Sequence, residues 1–531
     1  MSPTHKGPRL ALSLVLAGAG LAACGGTGSA SGTKNYVDGR TFTMTVPSDP
    51  GALDPQGSVV NSLLQLNQFA YDALVSVDAK TGKVRPQLAT SWKVVDTRTV
   101  TFDIRSGVTC SDGSVFDAKT VADNISHVED PKNKSPLLGV FVPAGARATA
   151  SGSTVELKLA APSPFLLSSL SFVPMVCASG LKDRTGLKDH TAGTGPYTLT
   201  QATPGAEYVY KARDGYTWGP GGAKTAAKGM PARIVVKIVD NETTAANQLL
   251  AGETNAAQIG GPDGARLKAA GLTSVDTTTV VGEQWYNHAK GHPTGDPAVR
   301  MALTRGADYA QLAKVLTSGK GTAATQLAAL SSSGCDGNSV AGNVPSFDPA
   351  AAGATLDAAG WKKGSNGVRA KNGTGLSLTF ITDATLGTGG AAAAELAVSQ
   401  WKALGIKVTL KNLSTTEMAG PLFSTGDWDI AWEPVNVPTP DQMLPTLSGA
   451  TVPNGSNFSS IENTDYTSSA TKAMNETGTD GCPAWLKAES SLFKAADLVP
   501  FANKDIPTFG KGATFTSTAN LVVPSSIRML G

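Results

Sequence analysis

Residues 376–410 constrain the fold more than any other stretch. Positions 376–381 read as a strand, 391–404 as a helix stopped by Gly405 at its C-terminal cap, and 406–410 as a strand again. Two strands joined through a helix lie parallel in one sheet, so the chain is committed to an α/β lobe. The same order recurs earlier, with a near-continuous apolar strand at 234–239 and a helix at 243–251 ended by Gly252. At 531 residues a single core of ordinary domain size is too small, and two or more lobes are expected. The 59 Gly, 31 Pro and five Cys exclude a collagen, a coiled coil and a disulfide mini-scaffold.

Around these units the remaining elements fall into order. Residues 41–46 alternate as a strand, and Asn61 is an N-cap candidate for a helix over 62–74. Strands at 99–104 and 154–159 with a helix over 118–127 between them describe a small mixed subdomain. Asp296 and Pro297 open a helix over 298–305, and Asp308 caps another running to Leu316.

The first 23 residues read as an address. His5, Lys6 and Arg9 precede an apolar run over 10–23 that is too short for a membrane span. It ends in Leu21-Ala22-Ala23-Cys24, which resembles a bacterial lipobox with Cys24 as the lipidated first residue of the processed chain. Residues 24–34, rich in Gly and Ser, are the composition of a flexible tether. Without Lys6 and Arg9 the chain carries 42 basic and 42 acidic residues. That balance gives no footprint for nucleic acid.

In an exported chain Cys110, Cys177, Cys335 and Cys482 are expected to form disulfides. Three pairings are possible; Cys110 with Cys177 and Cys335 with Cys482 is favoured because each pair then stays within one lobe.

Searches for chemistry are mostly negative. The nearest approach to a phosphate loop, Gly319-Lys320-Gly321-Thr322, has Lys314 where the first glycine belongs. Neither a G-x-S-x-G elbow nor an H-E-x-x-H zinc motif occurs, and the S-x-x-K and K-T-G matches stand in the wrong order for penicillin-recognising enzymes. His288 and His292 read as solvated loop histidines, with Gly291 and Pro293 beside them and no third ligand at metal spacing. No metal and no cofactor are expected. Trp428 and Trp432 flank a short strand whose exit, Glu433-Pro434-Val435-Asn436, cannot continue a sheet, and clefts form beyond such strand ends. Indoles there can cover an extended ligand, and Glu433 can pair with an ammonium; packing in the core is the alternative for either indole.

These segments together resemble the solute-binding proteins of ABC importers, family 5, which includes dipeptide, oligopeptide and nickel-complex binders. The likeness rests on Tyr71-Asp72-Ala73-Leu74-Val75, on residues 81–92 ending in Thr90-Ser91-Trp92, on 101–108 leading into Ser111-Asp112-Gly113, and on Gly193-Thr194-Gly195-Pro196-Tyr197. Leu250-Ala251-Gly252-Glu253, Ala359-Gly360-Trp361 and Leu498-Val499-Pro500-Phe501 continue it in the family's order.

The resemblance implies a periplasmic-binding-protein-like α/β fold of the class II, peptide-binder type. Lobe I would comprise 35–75, 193–287 and 505–531, an inserted subdomain 76–192, and lobe II 288–504, with the chain crossing a hinge near Trp285 to His288 and near Pro500. It implies a non-enzyme, a monomer that closes on a small solute or oligopeptide and serves a permease and ATPase, held by lipid to the outer face of the cytoplasmic membrane. Ligand contacts are expected at Trp285, Asn287, Trp428, Trp432, Glu433, Asn436 and Asp441. Peptide binders commonly hold the ligand amino terminus with an aspartate in the loop after the Trp432 strand. Here that loop reads Val437-Pro438-Thr439-Pro440-Asp441, so Glu433 or Asp441 takes the role or the ligand lacks a free ammonium. A hydrolase of peptides or cell-wall fragments, or a transport-dead sensor on the same fold, is the alternative.

Overall fold

The computed structural model describes residues 35–328, 330 and 334–531. The leader 1–23, Cys24 and the tether 24–34 lie outside them. Ten strands build the main sheet: β1 (Thr41–Val46), β2 (Tyr197–Thr203), β3 (Glu207–Ala212), β4 (Arg233–Ile238), β5 (Ala256–Gln258), β6 (Thr273–Tyr286), β7 (Ser377–Asp383), β8 (Lys407–Leu413), β9 (Ile430–Trp432) and β10 (Leu498–Gly510). Their order across the sheet is β8-β7-β9-β6-β10-β5-β1-β4-β3-β2.

The strand directions decide where a cleft can form. β6 and β10 are 14 and 13 residues long and run antiparallel, Thr273 opposite Gly510 and Trp285 opposite Leu498. β5 is bonded to one end of this pair, at Thr508–Gly510, and β9 to the other, at Gln284–Tyr286. The pair therefore carries the sheet from one half to the other. Both β5 and β6 run antiparallel to β10, and β1 and β4 run parallel to β5, so this set points toward the second half. β9 is antiparallel to β6, with β7 and β8 parallel to β9, so that set points back. Two groups of carboxyl ends thus face each other across the middle of β6 and β10.

Each half has a core of its own. Phe42, Met44, Ile234 and Val236 pack with Phe69, Tyr197 and Tyr210 in the first, and Leu378, Phe380, Trp401 and Trp432 in the second. The β7–helix–β8 unit forms as its pattern demands: helix Gly387–Ala403 lies between the strands, and Phe380 stands opposite Leu410. A separate four-stranded antiparallel sheet, Ala89–Asp96, Thr99–Ile104, Thr154–Lys158 and Arg147–Ser151, packs on helix Ala118–Glu129 around Phe102, Val121, Ile125, Val155 and Leu157. Asp117 caps that helix by accepting from the Thr120 amide at 2.8 Å.

The Tyr71-Asp72 motif joins the small sheet to the main one. Asp72 is buried and accepts from Gln87 Nε2 (2.6 Å), Thr194 Oγ1 (2.9 Å), Tyr216 OH (2.9 Å) and Trp218 Nε1 (3.0 Å). Burial raises its pKa, and the four donors oppose that shift. Gly195 fits beside it because a Cβ there would lie 2.4 Å from the Ala70 carbonyl carbon. The disulfides pair Cys110 with Cys177 and Cys335 with Cys482, the favoured arrangement.

Candidate functional site

The facing strand ends bring specific side chains to the middle of the crossing pair. β7 ends at Asp383, and Glu433 follows directly on β9. Within β6 the register slips between Val280 and Glu283, and Gly282 fits there because a Cβ would meet the Phe501 ring at 2.6 Å. The slip delivers the wholly buried Glu283 to the exit of β9. Its Oε2 accepts from the Val435 amide at 2.8 Å and from Trp285 Nε1 at 3.2 Å; the same indole N–H reaches the Glu433 carbonyl at 2.9 Å. On the opposite strand ends, Lys504 Nζ donates to the Gly260 carbonyl at 2.8 Å, just beyond β5.

Four carboxyl groups gather in or beside this region. Burial pushes Glu283 up to about 8, with Glu433 and Glu489 adding repulsion. Burial likewise raises Glu433 to about 7, Glu489 to about 7 and Asp441 to about 6. Ser339 and the Leu327 amide donate to Glu489. Glu283 Oε1, Glu433 Oε2 and Asp441 Oδ1 are buried with no protein hydrogen-bond partner. A buried acceptor without a partner is costly, so groups arranged this way favour a donor-rich or cationic visitor.

The expected ligand residues separate into two sets. Glu433, Asn436 and Asp441 follow β9 on the cleft side, and Trp285 ties Glu283 to Glu433 from beneath, fully buried. Asn287 and Trp428 do not join them. Because β9 runs antiparallel to β6, the end of β6 lies at the start of β9 and away from its exit, and Asn287 Nδ2 there donates to the Trp428 carbonyl at 3.0 Å. Trp432 takes the core alternative open to either indole: it is 0% exposed, packed against Phe380 and Phe501 with Nε1 donating to Gln284 Oε1 at 3.0 Å. Trp428 packs on Phe458, as does Trp285. Asn436 binds backbone: its Oδ1 accepts from the Val280 amide and its Nδ2 donates to the Val280 carbonyl.

Of the two histidines, His292 stays partly exposed and His288 does not. His288 is largely buried, with Nε2 3.2 Å from the Asp497 carbonyl, and burial together with Arg300 lowers its pKa to about 3. His292 Nδ1 lies 2.9 Å from Asp429 Oδ1. Among the described residues no group of three metal-ligating side chains is poised for an ion. The residue that sequence reasoning missed is Glu283. A glycine inside a strand is a signal for a bulge, which Gly282 carries, but the burial of the acid beside it has no signal in the local sequence.

The family model described as bacterial extracellular solute-binding proteins, family 5 Middle, matches residues 83–454. The chain belongs to this family. Among curated relatives, this family 5 protein is 28% identical over 388 residues to Protein XP55 of Streptomyces lividans, a match covering 67% of this chain and 65% of XP55. The first curated relatives are matched over about half to two thirds of their length. Among solved structures, the ABC transporter substrate-binding protein CtaP of Listeria monocytogenes superposes with a TM-score of 0.75 at 18% identity, over 93% of this chain and 99% of that one. The oligopeptide-binding protein AppA of Bacillus subtilis, in complex with a nonapeptide, gives 0.70 at 17% identity, over 94% and 100%. These similarities establish the periplasmic-binding-protein fold for the family 5 chain. No described helix is long and apolar enough to cross a membrane.

Proposed function

We propose that this chain captures an oligopeptide between its two half-sheets and presents it, by closing, to an ABC permease and its ATPase. The observation that carries the reading is the facing pair of carboxyl-end groups, with unpartnered buried acceptors on Glu283, Glu433 and Asp441 where they meet. Such ends are where open α/β sheets bind ligands. The peptide's ammonium pairs with Glu433, backed by Asp441; a ligand that touches both halves stabilises the closed state by its differential affinity for it. AppA, crystallised with a nonapeptide, supports the peptide class. Lobe I is assigned to 35–75, 193–287 and 505–531, the inserted subdomain to 76–192 and lobe II to 288–504. Binding, not catalysis, is the output, and the protein works as a monomer tethered outside the membrane by lipid on Cys24.

Native mass spectrometry of the purified chain tests this directly by weighing what travels with it. A thermal-shift screen with peptide pools adds a second test: a peptide at about 100 times its Kd contributes about 2.7 kcal/mol. Intact peptide recovered with the protein supports the reading. Cleaved peptide, or no shift with any pool, overturns it.

A further inference from the structure

Phe165 and Leu166 are neighbours in sequence that serve different cores. Leu166 and Leu170 pack inside the small-sheet subdomain. Phe165, only 3% exposed, packs instead with Leu327, Cys335, Trp485 and Leu492 of the second half. The fit is close: a Cβ built on Gly334 would lie 2.3 Å from the Phe165 ring. Beside it the Gly478 amide donates to the Pro164 carbonyl at 3.1 Å. The two walls of this socket are the segments beside Cys335 and before Cys482, and the disulfide between them fixes their spacing. A second contact lies nearer the cleft, where Gln442 Nε2, next to Asp441, donates to the Val140 carbonyl at 3.3 Å.

The subdomain is bound to the first half through Asp72 and its four donors. It therefore moves with that half, and its contacts with the second half are the ones that opening must break. We infer that Phe165 is a positioning residue for solute capture, a latch by which the inserted subdomain holds the closed state in a socket braced by the Cys335–Cys482 disulfide. This rests on the two-lobe clamp proposed above and adds a closing contact that lies outside the solute cleft. Burying one large aromatic ring shifts an equilibrium by about tenfold or more, so the latch sets how long the clamp stays shut.

Hydrogen exchange at the Gly478 amide, read in the full chain without added solute, tests the latch independently of ligand identity. The wild type is expected to protect this amide. Phe165→Ala is expected to lower that protection by about tenfold or more while the Phe102, Val155 and Phe380 amides keep theirs, and Phe165→Leu to restore part of it. Gly334→Ala, which crowds the socket from the other wall, should loosen the same amide. An unprotected Gly478 in the wild type, unchanged protection in Phe165→Ala and Gly334→Ala, or loss spread through both cores overturns the latch. In a mixed oligopeptide pool, Phe165→Ala should release captured peptide faster than wild type. If wild type captures none, the peptide reading fails, and the exchange result alone decides the latch.

Discussion

Asn436 clasps Val280 at both polar ends of its backbone, accepting from the amide at 2.9 Å and donating to the carbonyl at 3.0 Å. The contact falls beyond the stretch of β6 that β9 covers, Gln284–Tyr286, so a side chain takes the place of a strand partner. It also fixes the loop that carries Glu433 and Asp441 to the crossing strand.

Asn436→Ala removes both bonds and is expected to cost about 1 to 2 kcal/mol of stability. Urea unfolding measures this, and peptide affinity should fall with it because the loop loses its anchor. An unchanged midpoint and affinity would show that the clasp is dispensable.

The buried acids set a pH dependence whose sign is fixed. Glu283 has an ordinary value of 4.5 and is held near 8 in the folded chain, so between those values the folded state binds more protons than the unfolded one. Stability of the unliganded protein contributed by this group is therefore greatest below about 4.5 and is lost as pH rises through 8, with Glu433 and Glu489 adding in the same direction up to about 7. Thermal melting across that range should show the fall, and Glu283→Gln should flatten its upper part.

A cationic peptide end favours the charged form of the same acids. Capture near pH 7 should release protons, and affinity should rise as pH passes through 7 to 8. Calorimetry in buffers of different ionisation enthalpy reads the proton count. Proton uptake would rule out an ammonium at Glu433.

Asp72→Ala leaves four buried donors facing an uncharged side chain. The expected loss is about 3 to 5 kcal/mol, with the small-sheet subdomain loosening first. Limited proteolysis locates the opening, and cleavage confined to the second half would contradict it.

Opening the Cys335–Cys482 disulfide, by paired replacement with serine, should cost about 2 to 5 kcal/mol. Denaturation under non-reducing conditions measures the difference from wild type.

Local chemistry was legible from the residues, and distant geometry was not. Strand, helix, Gly405 and strand over 376–410 could be read because periodicity and a cap are properties of a short window. Asp296 and Asp308 cap their helices as their positions suggest, through the Ala298 and Gln311 amides. Asn61 instead begins its helix, with Val60 at the cap. The motif around Asp72 pointed to the family, while its physical role as an acceptor for Gln87, Thr194, Tyr216 and Trp218 depends on partners up to 146 positions away. That Asn287 and Trp428 lie at the start of β9, away from Glu433, is not legible from the residues, because the direction of β9 against β6 is a tertiary fact. Glu283 went unread for the same reason: its burial comes from three strands that meet only in the folded sheet.

The carboxylate of Asp72 also has a history along the growing chain. The indole that completes its cradle is made 146 residues later. Contacts of that span carry a large closure entropy and form late. Until Trp218 is made, the junction between the two sheets lacks the last of the four donors that hold Asp72.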